Sequence, residues 1–175
     1  MGVVGGGIVG VAIARALCLG TNDQVTVLEK ESRVGAHQTG HNSGVVHAGV
    51  YYAPGSLKAR LCASGRERTK QFCQEKGLPF RELGKLVVAT SEAELGNLDA
   101  LEQRSIKNLA PGLRRLDANQ LREIEPHSAG VSALHPPRTA VVDYVAITEA
   151  MADDVRSAGG AIQLGEFGVV GFGHE

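Results

Sequence analysis

A glycine-rich turn near the start of the chain constrains the fold more than any other feature. Residues 5–10 read Gly-Gly-Gly-Ile-Val-Gly and precede an apolar segment, residues 11–19, that is predicted to be helical. In such a G-x-G-x-x-G turn, Gly5 permits the tight turn, Gly7 lets the backbone approach a pyrophosphate, and Gly10 allows the helix to pack closely on the preceding strand. The helix N-terminus then offers free N–H groups to an anion. The turn therefore predicts a dinucleotide-binding site.

An acidic residue at the end of the next apolar segment supports this interpretation. Residues 24–29 read Gln-Val-Thr-Val-Leu-Glu and predict a second parallel strand, which completes a β-α-β unit. Glu29 lies where an acidic side chain accepts hydrogen bonds from the adenosine ribose hydroxyls, and its charge disfavours the 2′-phosphate of NADP. Ile8 and Lys30 complete the predicted nucleotide-binding set. The alternative is a turn that only joins strand to helix, with a solvated Glu29.

Composition excludes several other classes of function. The formal net charge of -1 provides no basic surface for nucleic acid. Cys18, Cys62 and Cys73 are widely spaced and form no C-x-x-C pair, so we expect no metal site, no disulfide framework and a cytoplasmic location. The apolar opening is interrupted by glycines and Arg15, which argues against a signal peptide or a membrane span. Because few residues precede the turn, we expect the first strand to be clipped.

The remainder of the chain predicts an α+β excursion followed by a return to the parallel sheet. Residues 35–55 are rich in Gly, His, Asn, Ser and Tyr, which is typical of a segment that lines a site. A helix is predicted next over 57–76, with Ser56 as N-cap and Gly77 as its end, and then a strand over 85–90. A second helix is predicted to start at a Ser91–Glu94 capping box and to run to about 108. The later predicted elements are a helix over 118–123, strands over 130–134 and 140–143, a helix over 144–157, and a strand from Ala161.

The segment Thr39-Gly-His-Asn-Ser-Gly-Val-Val-His-Ala-Gly-Val-Tyr-Tyr52, with Pro54-Gly-Ser-Leu-Lys-Ala-Arg60 after it, carries a family resemblance. It resembles the L-2-hydroxyglutarate dehydrogenase/oxidase family of FAD enzymes, within the D-amino-acid-oxidase-like superfamily. The resemblance extends through residues 84–89, 122–126 and 141–144 and implies an α/β fold, a Rossmann-type parallel sheet with an inserted α+β segment. It also implies that the chain is a truncated N-terminal part, because family members are much longer.

The resemblance implies three regions and a set of FAD contacts. The regions are residues 1–78 with the FAD-binding β-α-β unit, residues 79–140 with the start of the substrate domain, and residues 141–175 with an incomplete return to the FAD-binding domain. The ADP half would be held at the glycine turn and Glu29. The residues expected to surround the pyrophosphate and the flavin are Thr39, Gly40, His41, Asn42, Ser43, Gly44 and Val45, and Val169 is expected to contact adenine.

The resemblance further suggests oxidation of a 2-hydroxy acid, with L-2-hydroxyglutarate as the first candidate. A base must take the hydroxyl proton, and His47 is the first candidate, with His41 second. A covalent bond between His41 and the flavin is a third interpretation. Tyr51 and Tyr52 could bind the substrate, and Lys58 or Arg60 a distal carboxylate. For every one of these side chains a purely structural or solvated role is the alternative.

The sequence is also compatible with other functions. Within the same superfamily, the substrate could be glycerol 3-phosphate or an amino acid. A non-catalytic nucleotide-binding fragment is an alternative of a different class, and an NAD-linked dehydrogenase is another, although residues 37–52 have no explanation in it. We expect oxygen or a quinone as electron acceptor, a peripheral contact of the full-length protein with the inner membrane, and little activity from this chain alone.

Overall fold

The computed structural model describes residues 1–165, which divide into two compact units. The first unit contains residues 1–44 and the segment that begins at Asp143, and the second contains Val45–Val142. The elements of the first are β1 (Gly2–Val4), α1 (Ile8–Gly20), β2 (Thr26–Glu29), α5 (Tyr144–Ser157) and β9 (Ala161–Leu164). Those of the second are β3 (Val45–Val46), α2 (Leu57–Lys76), β4 (Arg81–Glu82), β5 (Val87–Ala89), α3 (Leu95–Lys107), β6 (Arg114–Asp117), α4 (Ala118–Ile124), β7 (Ser132–His135) and β8 (Ala140–Val141).

The first unit is a parallel three-stranded sheet in the order β1-β2-β9, with α1 and α5 packed on it and on each other. Val27 is central in register, opposite Val3 on one side and Ile162 on the other. Val27 is fully buried with Ala14 and Val155, so the small alanine lets α1 approach the strands closely. This arrangement confirms the predicted β-α-β order and the α/β fold class.

The second unit contains two antiparallel three-stranded sheets, in the orders β3-β8-β4 and β5-β7-β6. Leu121 of α4 is fully buried with Leu116 and Ala133, and Leu134 forms a second cluster with Leu98 of α3. Ala133 and Leu134 are consecutive in β7 and point to opposite faces, so α4 and α3 cover opposite faces of the β5-β7-β6 sheet. Helices packed on an antiparallel sheet are α+β architecture, as predicted for the inserted segment.

Local signals at the helix ends have mixed outcomes. The Ser56 hydroxyl accepts a hydrogen bond from the Ala59 N–H at 3.2 Å, and Gly77 ends α2 in the left-handed conformation with φ of 66°, as predicted. The capping box predicted at Ser91 is wrong. The Glu94 carboxylate instead accepts hydrogen bonds from the Thr90 N–H at 2.6 Å and from its hydroxyl at 2.9 Å. Residues 92–94 form a 3-10 turn, in which the Glu94 N–H donates to the Ser91 carbonyl at 3.1 Å, and α3 begins only at Leu95.

The unit boundaries differ from the regions expected from the sequence. Residues 45–78 were expected to belong with the nucleotide-binding region, but their contacts group them with the second unit. The reason is the pairing of Val45 and Val46 with β8, which ties the start of this segment to an antiparallel sheet. Along α2, Phe72 and Cys73 are buried as expected, whereas Leu61 is exposed. No helix within residues 1–165 is both long and apolar enough to cross a membrane.

Candidate dinucleotide-binding site

The glycine turn is held at the carboxyl end of β1 by its own backbone. Gly5 has φ of +103°, a conformation that L side chains rarely adopt, and its N–H donates to the Leu28 carbonyl at 2.8 Å. A Cβ on Gly10 would lie 2.0 Å from the Gly5 carbonyl oxygen. Both glycines are therefore required sterically, the first for the turn and the second for the approach of α1 to the strand.

Glu29, at the end of β2, is buried against this turn. One carboxylate oxygen accepts a hydrogen bond from the Gly6 N–H at 2.5 Å, and the other accepts from the Glu31 N–H at 2.9 Å. The residue is only 8% exposed, so the alternative of a solvated Glu29 is wrong. Because an ionised carboxylate accepts about four hydrogen bonds, acceptor positions remain for the hydroxyls of a ribose.

The N-terminus of α1 is open to an anion. Gly7 is the N-cap and supplies no side chain, and no acidic residue occupies the first turn. The Ile8 N–H donates to the Thr39 hydroxyl at 3.0 Å. The N–H groups of Val9 and Gly10 lie in the same first turn, where an α-helix provides no carbonyl partner. Unpaired N–H groups and the positive end of the helix dipole are the chemistry that binds a pyrophosphate.

Residues 35–44 form a loop that is fastened to the glycine turn. Gly35 adopts φ of +69°, and its N–H donates to the Gly6 carbonyl at 2.9 Å. Further along, the Asn42 amide donates to the Thr39 carbonyl at 2.7 Å, and its oxygen accepts from the Gly44 N–H at 2.7 Å. These bonds fix the loop beside the N-terminus of α1, so the structure brings together the two predicted FAD-contacting segments of the first unit.

Several predicted residues lie at the tight or exposed parts of this loop. A Cβ on Gly40 would lie 3.2 Å from the Gly35 carbonyl oxygen, so a larger residue there would crowd the loop. Ser43 is exposed. His41 is also exposed, and its Nδ1 lies 2.7 Å from the His37 carbonyl oxygen. Because a carbonyl only accepts, Nδ1 carries the proton, and Nε2 of the neutral ring is left with its lone pair.

Glu31 and His37, which sequence reasoning missed, connect β2 to the loop. His37 Nε2 lies 2.8 Å from a Glu31 carboxylate oxygen, and this hydrogen bond holds the pKa of Glu31 below its usual value. Lys30 lies 3.5 Å from the same oxygen and is exposed. The sequence signal for the Glu31–His37 hydrogen bond is the spacing: an acidic residue stands two positions after Glu29, and a histidine follows six positions later.

The remaining predicted residues lie in the second unit or outside the described chain. Val45 is in β3, and His47 follows it with an exposed ring whose backbone carbonyl accepts from the Cys62 thiol at 3.3 Å. Burial raises the pKa of that thiol. Of the predicted substrate contacts, Tyr51 is exposed and Tyr52 half-buried, whereas Lys58 and Arg60 are exposed in the first turn of α2. Val169 lies outside the described residues.

Two polar contacts of the Tyr51 segment were also missed. Lys85 Nζ donates to the Tyr51 hydroxyl at 2.7 Å, and the Asn108 amide donates to the carbonyls of Gly49 and Tyr52 at 2.9 and 2.7 Å. The sequence offered one signal for the Lys85 contact: Lys85 lies in the stretch 84–89, which carries part of the family resemblance. Among residues 1–165, no group of three or more His, Cys, Asp or Glu side chains is placed to hold a metal ion.

Comparison with known proteins identifies the family. The family model described as FAD dependent oxidoreductase matches residues 2–170. L-2-hydroxyglutarate dehydrogenases from Homo sapiens and Nematostella vectensis, both named as mitochondrial, are 44% and 46% identical over 91% and 93% of this chain. The enzyme of that name from Indibacter alkaliphilus is 43% identical over 93%. The chain spans 35%, 36% and 41% of these three proteins' lengths.

Solved structures agree in fold. The FAD-bound, dithionite-reduced L-alpha-glycerophosphate oxidase from Mycoplasma pneumoniae superposes with a TM-score of 0.85 at 26% identity, over 94% of this chain and 44% of that one. Glycine oxidase from Geobacillus kaustophilus gives a TM-score of 0.80 at 22% identity, over 94% of this chain and 46% of that one, which shows the fold alone. The predicted resemblance is confirmed: the chain belongs to the FAD dependent oxidoreductase family, and its similar relatives include L-2-hydroxyglutarate dehydrogenases.

Proposed function

We propose that the first unit of this chain binds the ADP half of FAD and that the chain is the cofactor-binding part of an oxidoreductase acting on L-2-hydroxyglutarate. The observation that carries the first half is the buried Glu29 carboxylate beside the glycine turn, with acceptor positions left for ribose hydroxyls. The pyrophosphate would lie at the N-terminus of α1, bound by the N–H groups of Val9 and Gly10. A 2′-phosphate would bring a second negative charge toward Glu29, which disfavours NADP.

The flavin side of the cofactor is assigned to the loop that follows. Gly40, His41, Asn42, Ser43, Gly44 and Val45 would line it, with Thr39 holding the loop against Ile8. Asn42 uses both ends of its amide to shape the loop backbone, so its role is to position the neighbouring residues. Lys30 is exposed beside the ribose-binding position and would face the adenosine.

The proposed reaction is the oxidation of L-2-hydroxyglutarate to 2-oxoglutarate. It is supported by relatives named L-2-hydroxyglutarate dehydrogenase that are 43% to 46% identical to this chain. Bound FAD would supply the hydride acceptor, its N5, for the hydrogen on C2 of the substrate. The protein must then remove the hydroxyl proton. His47 is our first candidate for this base, because its ring is exposed and hydrogen-bonded to nothing within residues 1–165. His41 is the second, because its Nε2 retains a lone pair.

The substrate would be oriented by polar groups of the second unit. Tyr51 and Tyr52 would donate hydrogen bonds to it, and Lys58 or Arg60 would pair with a carboxylate. Both cations are exposed, and neither forms an ion pair within residues 1–165. A covalent bond between His41 and the flavin is distinguished by acid denaturation, which releases all flavin from a non-covalent complex.

Flavin binding is tested on the 175-residue chain by titrating FAD and following the quenching of its fluorescence. Saturable quenching that NADP does not compete away is expected; absence of saturation contradicts the proposal. The substrate is tested in a chimera in which the remaining part of the Indibacter alkaliphilus relative follows this chain. Anaerobic L-2-hydroxyglutarate should bleach the chimera's flavin, whereas the 175-residue chain loaded with FAD should not be bleached.

A second candidate, oxidation of glycerol 3-phosphate, is favoured by the likeness to the glycerophosphate oxidase, which gives the TM-score of 0.85. The two candidates are separated in the same chimera, because the better substrate bleaches the flavin at lower concentration. Faster bleaching by glycerol 3-phosphate would overturn the assignment to L-2-hydroxyglutarate. Faster bleaching by an amino acid would overturn both.

The electron acceptor and the location are two further proposals. We propose oxygen or a quinone as acceptor, and the cytoplasm as location, with a peripheral contact to the inner membrane in the full-length protein. Steady-state rates of the chimera with oxygen against a soluble quinone analogue test the first. Fractionation of the source cells tests the second, and it bears directly on the relatives named as mitochondrial.

A further inference from the structure

His135, the last residue of β7, is a buried histidine whose protonation state is set by its partner. Only 8% of the residue is exposed. It stands directly opposite Arg114 in the register of β6 and β7, and Arg114 Nη2 lies 3.0 Å from its Nδ1. Because a guanidinium can only donate, Nδ1 accepts this hydrogen bond. The ring is therefore neutral, with its proton on Nε2.

The ring lies where the chain passes between the two antiparallel sheets of the second unit. β4 is connected through Gly84 to β5 of the other sheet, and β7 is connected through residues 136–139 to β8 of the first. The Gly84 N–H donates to the Thr139 carbonyl at 3.0 Å, which ties the two connections together. A Cβ on Gly84 would lie 2.6 Å from His135 Nε2, so only glycine leaves room for the ring. We call Gly84, Arg114, His135 and Thr139 the sheet junction.

Protonation of His135 would remove the contact with Arg114. A ring protonated on both nitrogens has no acceptor, so a guanidinium N–H would face an imidazolium N–H. The second positive charge would also be buried, away from the water that stabilises an ion. Burial, together with the charge of Arg114, accordingly lowers the pKa of His135 below its ordinary value.

The groups adjoining the sheet junction offer no carboxylate to a protonated ring. Within residues 1–165, neither His135 nor Arg114 forms an ion pair with a carboxylate. The two connections carry Lys85 and Arg138, which are both cationic. Glu82, at the end of β4, pairs instead with a lysine of α2 at 3.3 Å. Nothing in this part of the chain therefore offsets the charge that protonation would add.

The carboxylates of the helices packed on this sheet are also directed elsewhere. Asp99 and Glu102 of α3 lie 2.8 and 3.0 Å from Arg115. Since consecutive residues of a strand point to opposite faces, Arg115 and its partners lie across β6 from the sheet junction. On the other face, the charged residues of α4 are Arg122 and Glu123, and both are exposed.

We infer that the sheet junction is an acid-sensitive lock of the second unit, in which neutral His135 holds Arg114 and protonation releases it. A histidine that is harder to protonate in the folded chain than in the unfolded one stabilises the fold above the unfolded pKa, near 6.5. That stability is lost as the pH falls from there through the lower pKa of the folded chain. The inference does not depend on the proposed function, because the four residues of the junction all lie in the second unit.

The test uses the 175-residue chain without cofactor. Long-range ¹H–¹⁵N spectra report the protonation and the tautomer of each histidine ring. His135 should carry its proton on Nε2 and should still be mainly neutral at pH 6.5. Amide hydrogen exchange, expressed as protection factors, should show loosening of residues 83–84, 114–117 and 132–135. We expect their protection to fall about tenfold between about pH 7.5 and about pH 5.

Three variants separate His135 from other causes of acid sensitivity. His135→Gln keeps an oxygen that can accept from Arg114 but has no titrating ring, so its protection factors should no longer depend on pH in this range. His127→Gln, at an exposed histidine of the same unit, should retain the parent's tenfold fall. Arg114→Met removes the donor and the repelling charge, should reduce the fall, and serves as the second test if His135→Gln loses its native spectrum.

Four outcomes would each overturn the acid-sensitive lock. They are a His135 proton on Nδ1 at neutral pH, a ring that is mainly charged at pH 6.5, protection factors of the parent that do not change with pH, and a tenfold fall that persists in His135→Gln. A chain that shows the lock but does not bind FAD would overturn only the proposed function.

Discussion

Two regions of the chain organise their polar groups in opposite ways. The first is the glycine turn with its loop, residues 5–10 and 35–44, and the second is the segment over residues 45–60. In the first region the polar side chains of Glu29 and Thr39 are buried and bonded to backbone N–H groups of the turn. In the second, the backbone is fastened by Asn108, while the rings of His47 and Tyr51 stay exposed. The first region is thus pre-organised by its own hydrogen bonds, whereas the second region presents exposed side chains that do not fasten its backbone.

The largest effect is expected from Gly10→Val. Because even a Cβ at this position would lie 2.0 Å from the Gly5 carbonyl oxygen, α1 must move away from the strand. We expect the free energy of unfolding to fall by about 3 kcal/mol or more, with loss of FAD binding. Chemical denaturation monitored by circular dichroism measures it. Gly20→Ala, in the same helix and with open space around its Cβ, is the control and should unfold like the parent.

Glu29→Gln tests whether stability and cofactor binding are coupled in the first region. An amide has one oxygen acceptor group, so it cannot serve the Gly6 and Glu31 N–H groups on two separate oxygens as the carboxylate does. We expect FAD affinity to fall about 10- to 100-fold and stability to fall by about 1–3 kcal/mol. Fluorescence titration and denaturation measure the two quantities. Glu149→Gln, on the exposed part of α5, should change neither; equal losses in both variants would contradict the role of Glu29.

Asn108→Leu should destabilise the second region without affecting the first. The substitution removes the hydrogen bonds to the Gly49 and Tyr52 carbonyls, which then depend on water. A loss of about 1–2 kcal/mol is expected, because each net hydrogen bond contributes about 1 kcal/mol. Hydrogen exchange of residues 49–52 should rise while FAD affinity stays at the parent value. A drop in FAD affinity as large as that of Glu29→Gln would show that the two regions are not separable.

His47→Asn should affect function alone. The ring is exposed and has no hydrogen bond within residues 1–165, so stability should change by less than about 0.5 kcal/mol. In the chimera, flavin bleaching by L-2-hydroxyglutarate should slow about 100-fold or more, as expected for loss of a general base. His41→Asn in the same chimera is the comparison. If it slows bleaching and His47→Asn does not, the base is His41.

The smallest expected effect is a pH dependence of the first region. The hydrogen bond from His37 lowers the pKa of Glu31 below that of the unfolded chain, where it is near 4.5. A carboxyl whose pKa is lowered by folding contributes stability above its unfolded pKa and loses it as the pH falls through the lower, folded pKa. The melting temperature of the parent should fall as the pH is lowered from 6 into the acid range. In His37→Gln we expect that fall to be smaller. An unchanged pH profile would mean that the pair contributes nothing in solution.

Elements whose signals lie within a few neighbouring residues were predicted well. The helix over 57–76 with Ser56 and Gly77, and the helix over 144–157, were found at their predicted ends. At the Ser91 capping box, the Ser91 side chain makes no capping hydrogen bond and the Glu94 carboxylate accepts from Thr90, a pairing that the sequence pattern does not show. Local signals identify the candidates for a contact, and the folded backbone selects among them.

By itself, the sequence determined that the chain begins with a dinucleotide-binding β-α-β unit and belongs among FAD enzymes. Gly5 has a positive φ, and a Cβ on Gly10 would clash with the Gly5 carbonyl oxygen, so few other residues fit either position. The spacing of these glycines therefore identifies the turn from the sequence alone. Only the tertiary structure decided that the Thr39 hydroxyl accepts from the Ile8 N–H at the start of α1 and that Lys85 donates to the Tyr51 hydroxyl. Such pairs are 31 and 34 residues apart, and their contact depends on how the chain between them closes, which no local pattern encodes.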